Sequence, residues 1–481
     1  DNKDNIAAKV ECEVNYPLGA FGRRTAPEQA EWVLIKQATL WTCAEAGVLQ
    51  NSDLLLHRGR IEAIGQGLEA PPAARVIDAQ GMHLTPGIID CHSHMATDGG
   101  VNESAQAVTA EVRIGDFIDS NDISIYRQLA GGVTTANILH GSANPIGGQN
   151  QVIKLRWGSL DEELKMKEAP PGIKFALGEN VKQSNREGRN TRYPQTRMGV
   201  EQLFRDRFEA AKLYRQRWHA WRQAPSGLPP RRDLELEAIA ECVEGTRWIH
   251  CHSYRQDEIL MMLRTLDDYG ITIGTLQHIL EGYKVADAMA AHGAMGSSFS
   301  DWWAYKFEVF DAIPFNGALM HRAGVVVSFN SDDAELARHL NHEAAKAVKY
   351  GGLEPNEALK FVTLNPAKQL RIDQWVGSLE VGKQADFVLW KGSPLSTLSV
   401  CMQTWIEGRK YFDRQEDQQR REEDARLHRQ LVQAIVAQGA GKNDSDSDDK
   451  DPSLWWARYD EFCHHGHAHD EHTDDRAHQH D

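Results

Sequence analysis

The first thirty residues show no periodic pattern, and from Trp32 the chain changes character. Residues 32–41 read as a strand. Residues 53–57 and 61–64, separated by Arg58-Gly59-Arg60, read as a hairpin, because a Gly-containing turn joins two short apolar runs. Short strands at 75–78 and 82–84 extend a set that predicts a small β-sandwich. From Pro86 to about Leu370, apolar strands alternate with helical stretches. Candidate strands are 87–90, 133–138, 173–177, 247–250, 271–276, 294–296 and 325–329, with a weaker one near 108–112. This alternation predicts an α/β fold, a (β/α)8 barrel over 86–372. Short strands return at 385–390 and 404–409, after the turn-rich segment 377–383. Segments 30–85 and 373–413 are therefore expected to close into one composite β-sandwich domain.

Three further segments stand apart. An insertion at about 183–237 is rich in arginine and carries Tyr193, Phe204, Phe208, Tyr214, Trp218 and Trp221. It reads as a helical hairpin covering the barrel, or else as a lid contacting an anionic substrate. Residues 414–438 read as a charged helix, and 439–452, rich in Gly, Asp and Ser, as a disordered linker. The tail carries His464, His465, His467, His469, His472, His478 and His480 without a fixed spacing. It reads either as a metal-loading arm or as a solvated low-complexity terminus.

Composition narrows the classes. The chain has 481 residues, 41% of them hydrophobic, enough for a large barrel and a small accessory domain. A formal net charge of −16 argues against nucleic acid as the partner, since phosphate backbones call for clustered Lys and Arg. Seven cysteines form neither a disulfide framework nor a zinc-knuckle spacing. No apolar run is long enough to span a bilayer. These features point to a small-molecule substrate and leave a homo-oligomer open. The sequence begins at Asp1; removal of a signal peptide and simple trimming both explain that.

Candidate chemistry sits at the strand ends, where barrel enzymes carry their sites. The first barrel strand leads into His92-Ser93-His94, and alternate residues of an extended chain face the same way, so both imidazoles can reach one ion. A lone HxH is a weak signal. Here the strand at 247–250 ends in His250, with His252 two residues on. The strand at 271–276 is followed by His278, and the one at 325–329 by Asn330-Ser331-Asp332-Asp333. Convergent imidazoles and carboxylates from several strands are what a divalent ion such as zinc requires.

The order HxH, His, His, Asp resembles the amidohydrolase superfamily. The resemblance runs from about Trp32 to Phe412 and includes LTPGIIDCHSH, LAGGVTTANILHGSANPIGGQ, TLNPAKQL and VGSLEVGKQADFVLWKGSPLS. The nearest branch is similar to the imidazolonepropionase-related members. The resemblance implies a metal set of His92, His94, His250, His278 and Asp332, holding one or two divalent ions, with zinc expected. It makes Asp332 the general acid/base, with Asp333 as rival. For the fourth strand it implies a bridging group. Glu179, just past the strand end, is preferred to Lys174, which resembles the carboxylated-lysine branch and would otherwise be a residue at the barrel bottom. A one-metal site with neither is the remaining option. His140 and His252 are the substrate-side candidates, His252 also as an orienter of a ligand. The alternative for His140 is an ordinary loop histidine. Tyr254, Arg255, Trp302, Trp303 and Lys306 lie in loops after strands five and seven and are candidates to shape the pocket, with loop packing the preferred reading for Trp302 and Trp303. The implied activity is hydrolysis of an amide, cyclic amide or peptide-like C–N bond, with heterocycle deamination and a non-catalytic metal-binding protein as alternatives. Resemblance to exported members favours a periplasmic or secreted location.

Overall fold

The structure is a computed structural model that describes residues 14–18, 21–97, 99–184, 191–302 and 306–437. The histidine-rich tail and Trp303 lie outside the described residues.

Strands from both ends of the chain build one sheet. The N-terminal flank contributes β1 (Trp32–Trp41), β2 (Val48–His57), β3 (Arg60–Gly65), β4 (Arg75–Asp78) and β5 (Met82–Pro86). The C-terminal flank contributes β14 (Phe387–Lys391), β15 (Val400–Ile406) and β16 (Arg409–Asp413). They run in the order β16-β15-β14-β5-β1-β2-β3, with β4 also pairing β1. The expected union of the two flanks occurs at the antiparallel β5–β14 ladder, Phe387 opposite Pro86. It produces a single eight-stranded sheet where strand spacing predicts a two-sheet sandwich. A separate small core draws Ile35, Leu40, Leu54 and Leu84 from one flank and Phe387, Leu389 and Trp405 from the other. The β2–β3 turn has positive φ at Arg58 (48°) and Gly59 (81°), the turn that suits the right-handed twist of a hairpin. A Cβ on Gly59 would lie 2.4 Å from the Glu407 carbonyl oxygen, so only glycine lets the β2–β3 turn meet the β15–β16 turn.

The second sheet is a nearly closed barrel. Its strands are β6 (Ile88–Ser93), β7 (Val133–Ile138), β8 (Ile146–Lys154), β9 (Gly172–Ala176), β10 (Trp248–His252), β11 (Thr275–Gln277), β12 (Met295–Ser298) and β13 (Val327–Phe329). They are hydrogen-bonded in sequence order, β6 through β13. All neighbours are parallel except β8, which runs antiparallel to both β7 and β9. This corrects two expectations. The strand expected near 108–112 is reduced to isolated bridges, Val108 to Ile146 and Arg113 to Gln149. The eighth strand is instead β8, so the sheet is mixed and not strictly (β/α)8. Its sequence, IGGQNQVIK, interrupts the apolar run with Gly, Gln and Asn. Gly147 answers a packing demand, because a Cβ there would stand 2.7 Å from His140 Nδ1.

The insertion folds as a helical hairpin, Arg197–Gln223 followed by Leu234–Glu244. Phe204 and Phe208 of its long helix stack on Phe175 of β9, with ring centroids 5.5 and 6.2 Å apart. Its arginines form surface ion pairs, such as Arg205 with Asp268 and Arg207 with Glu235. The insertion thus supplies the helical cover of the barrel. The charged helix Arg414–Ala437 docks through Asp417, which accepts a 2.8 Å hydrogen bond from the Tyr126 hydroxyl.

Candidate active site

The site gathers at the C-terminal ends of β6, β10 and β11 and just past β13. The β6–β7 register shifts between Asp90 and Ser93, a local irregularity that re-aims side chains at the end of β6. His92, His94 and Asp332 each offer a ligand atom within 4.8 Å of the other two. Asp332 Oδ1 lies 3.3 Å from His92 Nε2 and 3.1 Å from His94 Nε2, and its Oδ2 lies 3.4 Å from His278 Nε2. His278 and Asp332 both have positive φ, 55° and 51°. Non-glycine residues held there cost about 1–3 kcal/mol each, strain that the surrounding fold must sustain.

Electrostatics explains what this cluster is for. His94 Nδ1 stands 2.9 Å from the Leu139 carbonyl oxygen. A carbonyl only accepts, so Nδ1 carries the proton and, in a neutral ring, Nε2 is a bare lone pair. That lone pair faces a carboxylate oxygen at 3.1 Å. Two acceptors tolerate this distance only when a cation lies between them or the ring is protonated. Donors bound at about 2.1 Å with tetrahedral angles stand about 3.4 Å apart. The observed 3.1–3.4 Å separations match that arrangement. Burial, reinforced by Lys174, drives the His92 imidazole down to about 3, so it is neutral and able to donate a lone pair. His252 and His278 are likewise held well below the usual imidazole range, chiefly by burial. Their Nε2 atoms are buried without a hydrogen bond among the described residues. Burial opposes ionisation of Asp332, but its surroundings, the imidazoles of His278, His92 and His94, outweigh it. The carboxyl is held well below its usual range. These neutral imidazoles and the charged carboxylate fit a divalent ion.

On the fifth and fourth barrel strands the arrangement differs from the expected residue set. β10 extends to His252, so His252 and not His250 occupies the strand end. The His252 ring lies 5.2 Å from that of His278 and 4.5 Å from that of Tyr254. His250 sits two residues deeper, about 6.6 Å of strand rise, paired in register with Lys174 and Thr275. Its Nδ1 is buried without a hydrogen-bond partner among the described residues, and burial lowers the imidazole to about 3. Glu179 does not join the cluster. It begins the short helix Glu179–Lys182, and its backbone N–H donates to Glu308 at 3.0 Å. Lys174, opposite His250 in register, brings its Nζ to 3.1 Å from His92 Nε2. Burial brings this amine down to about 8.

His140 lies beside the site with both ring nitrogens engaged by backbone. Nε2 accepts the Glu103 N–H at 2.9 Å, and Nδ1 faces the Gly141 carbonyl at 2.9 Å. Through these two bonds it holds the loop. A wall of rings continues outward from His278 through Phe299 to Trp302, at centroid distances of 4.8 and 4.1 Å. Lys306 lies over the Tyr254 ring at 4.7 Å. Two supporting residues escaped the sequence reading. Asn330 stands 3.1 Å from His278 Nδ1 and accepts from Ser297 at 2.8 Å. Asp90 is fully buried beside His92 and Ser331. A carboxylate inside an otherwise apolar strand was the available signal for Asp90.

Similarity to known proteins agrees with this geometry. Residues 311–416, which include Asp332, match the Amidohydrolase family. The chain is 31% identical over 425 residues to a protein named amidohydrolase tasK from Hapsidospora irregularis, covering 79% of this chain and 43% of that protein. It therefore spans less than half the length of that relative. It is 25% identical over 380 residues to an imidazolonepropionase of Symbiobacterium thermophilum, covering 72% of this chain and 85% of the relative. The crystal structure of an amidohydrolase from Thermotoga maritima superposes with a TM-score of 0.74 at 31% identity, covering 79% of this chain and 100% of that one. With that whole structure covered at such identity, and with the histidines and aspartate converging as they do, this chain belongs to the amidohydrolase family.

Proposed function

We propose that the chain is a metal-dependent hydrolase that cleaves a C–N bond of a small-molecule substrate. The observation that carries the proposal is the convergence of the His92, His94 and His278 Nε2 atoms on the Asp332 carboxylate at 3.1–3.4 Å, the spacing of donors around one cation. In this reading His92, His94, His252, His278 and Asp332 hold the ion, and imidazole and carboxylate donors suit zinc. The ion, when bound, lowers the pKa of water and polarises the scissile carbon. Asp332, ionised at neutral pH, takes the proton of the attacking water and returns it to the leaving nitrogen. Lys174 is the fourth-strand candidate. Its neutral amine would attack CO2, forming a C–N bond with loss of one proton, and the resulting carbamate would add an oxygen donor for a divalent ion. The inner aromatic wall of Phe299 limits water around the reacting group.

The test is turnover by the purified chain of a panel of linear amides, cyclic amides and dipeptide-like compounds, with and without a chelator. Metal removal is expected to abolish turnover, and zinc to restore it. Asp332→Asn is expected to lower kcat by about 10²–10⁴-fold, the usual worth of a positioned acid/base. Release of ammonia from heterocycles instead would mark the deaminase alternative. Turnover insensitive to metal removal would overturn the proposal.

A further inference from the structure

The candidate site straddles the one place where the barrel ladder stops. β6 and β13 are the two ends of the hydrogen-bonded order, and among the described residues no ladder joins them. In the lower half of this seam the strand edges bond to a third segment: Ile89 N–H donates to Val362 O and Phe329 N–H to Phe361 O, both at 2.9 Å. In the upper half that segment makes no such bond, and there His92 and His94 must meet Asp332 across the gap.

We infer that Asp90 is a positioning residue for the metal site, its buried carboxylate stapling the end of β6 to the segment after β13. The inference rests on the metal-site reading above. Asp90 Oδ1 accepts from the His92 N–H and from the Ser331 N–H, each at 3.2 Å. Its Oδ2 accepts a short hydrogen bond from the Ser331 hydroxyl. Each partner neighbours or is a cluster residue: His92 itself, and Ser331 immediately before Asp332. A further bond, Asp332 N–H to His92 O at 3.1 Å, completes the bridge. Asp332 reaches its position through a left-handed backbone, φ 51°, a conformation that needs outside support. One carboxylate thus fixes the backbone on both sides of the gap whose width sets the 3.1–3.3 Å donor separations. Orienting groups behind a metal's ligands are commonly worth 10–100-fold in affinity.

The test is zinc affinity of the full-length chain, measured by competition with a chromophoric chelator, for the parent and for Asp90→Ala, Asp90→Asn, Ser331→Ala and His92→Ala/His94→Ala. The histidine-rich tail is common to all, so differences report the barrel site. Asp90→Ala is expected to weaken zinc by about 10–100-fold. Asp90→Asn is expected to stay within about threefold of the parent, because its amide oxygen keeps both N–H bonds and its NH2 can donate to the Ser331 hydroxyl. Ser331→Ala, which removes the hydroxyl's bond to Asp90 Oδ2 and its longer contacts with His92 O and the Asp333 N–H, is expected to fall between them and serves if Asp90→Ala does not fold. Parent-like affinity in Asp90→Ala or in Ser331→Ala would overturn the inference, and so would an Asp90→Asn as weak as Asp90→Ala, which would assign the effect to charge. If His92→Ala/His94→Ala binds zinc as the parent does, the metal-site reading fails, and this inference fails with it.

Discussion

Two side-chain choices separate the site expected from sequence from the site observed. His250 and His252 both end an apolar strand, and both share its inward face. Placing the strand end two residues early selects His250, whereas the strand runs on to His252. Lys174 was passed over for Glu179 because a lysine in mid-strand sits below the ligand level. Its length cancels that offset, and its amine arrives beside His92. His92, His94, His278 and Asp332 were legible because strand ends alone locate them. Metal content separates the alternatives. Lys174→Ala and His252→Ala are expected to lose metal from the barrel site, whereas Glu179→Ala and His250→Ala keep it. The reverse pattern would favour the sequence-based set. Burial brings Lys174 down to about 8 by penalising its charged form. The neutral, CO2-reactive amine therefore predominates above that pH and gives way to ammonium below it. Metal loading with bicarbonate is expected to reach a higher stoichiometry at pH 9 than at pH 6. Equal loading at both, with or without bicarbonate, would speak against carboxylation.

At the scale of elements, the parallel strands were readable because burial on both faces writes them as continuous apolar runs. β8 was not. Its glycines and amides serve close packing, Gly147 against His140 above all, and they erase the apolar signature of a strand. The insertion was readable as a helical hairpin, and arginines of its long helix such as Arg205 and Arg207 pair with surface acids, whereas Arg192 donates to backbone carbonyls of neighbouring loops. Its buried rings should hold the barrel's outer layer. Phe204→Ala and Phe208→Ala are each expected to cost about 3–5 kcal/mol in urea unfolding. Leu213, half-exposed on the same helix, should change stability by no more than about 0.5 kcal/mol when truncated. Similar small effects at all three positions would show that the helix does not pack on β9 as described.

At the scale of the molecule, the joining of the two flanks was legible because β-rich segments bracket the barrel and need partners for their edges. That they share one sheet was not legible, since strand order depends on pairings far apart in sequence. The barrel is tied to that sheet by Lys154 at the end of β8. Its buried amine lies 2.8 Å from Asp386 and 3.4 Å from Glu407. Lys154→Met would strand the Asp386 carboxylate, whose pKa burial already raises despite Lys154. Loss of one partner of a buried pair costs about 3–5 kcal/mol, and the double variant with Asp386→Leu should recover much of it. A double-mutant cycle without coupling would contradict this link.

The account stands or falls on a cation between His94 and Asp332. Crystals of the zinc-loaded chain, measured on both sides of the zinc absorption edge, would locate it by anomalous difference density. The expected result is a strong peak bonded to His92, His94 and Asp332, with any second peak beside Lys174. Density confined to positions away from these residues, in crystals of protein that turns over a C–N substrate, would contradict the account.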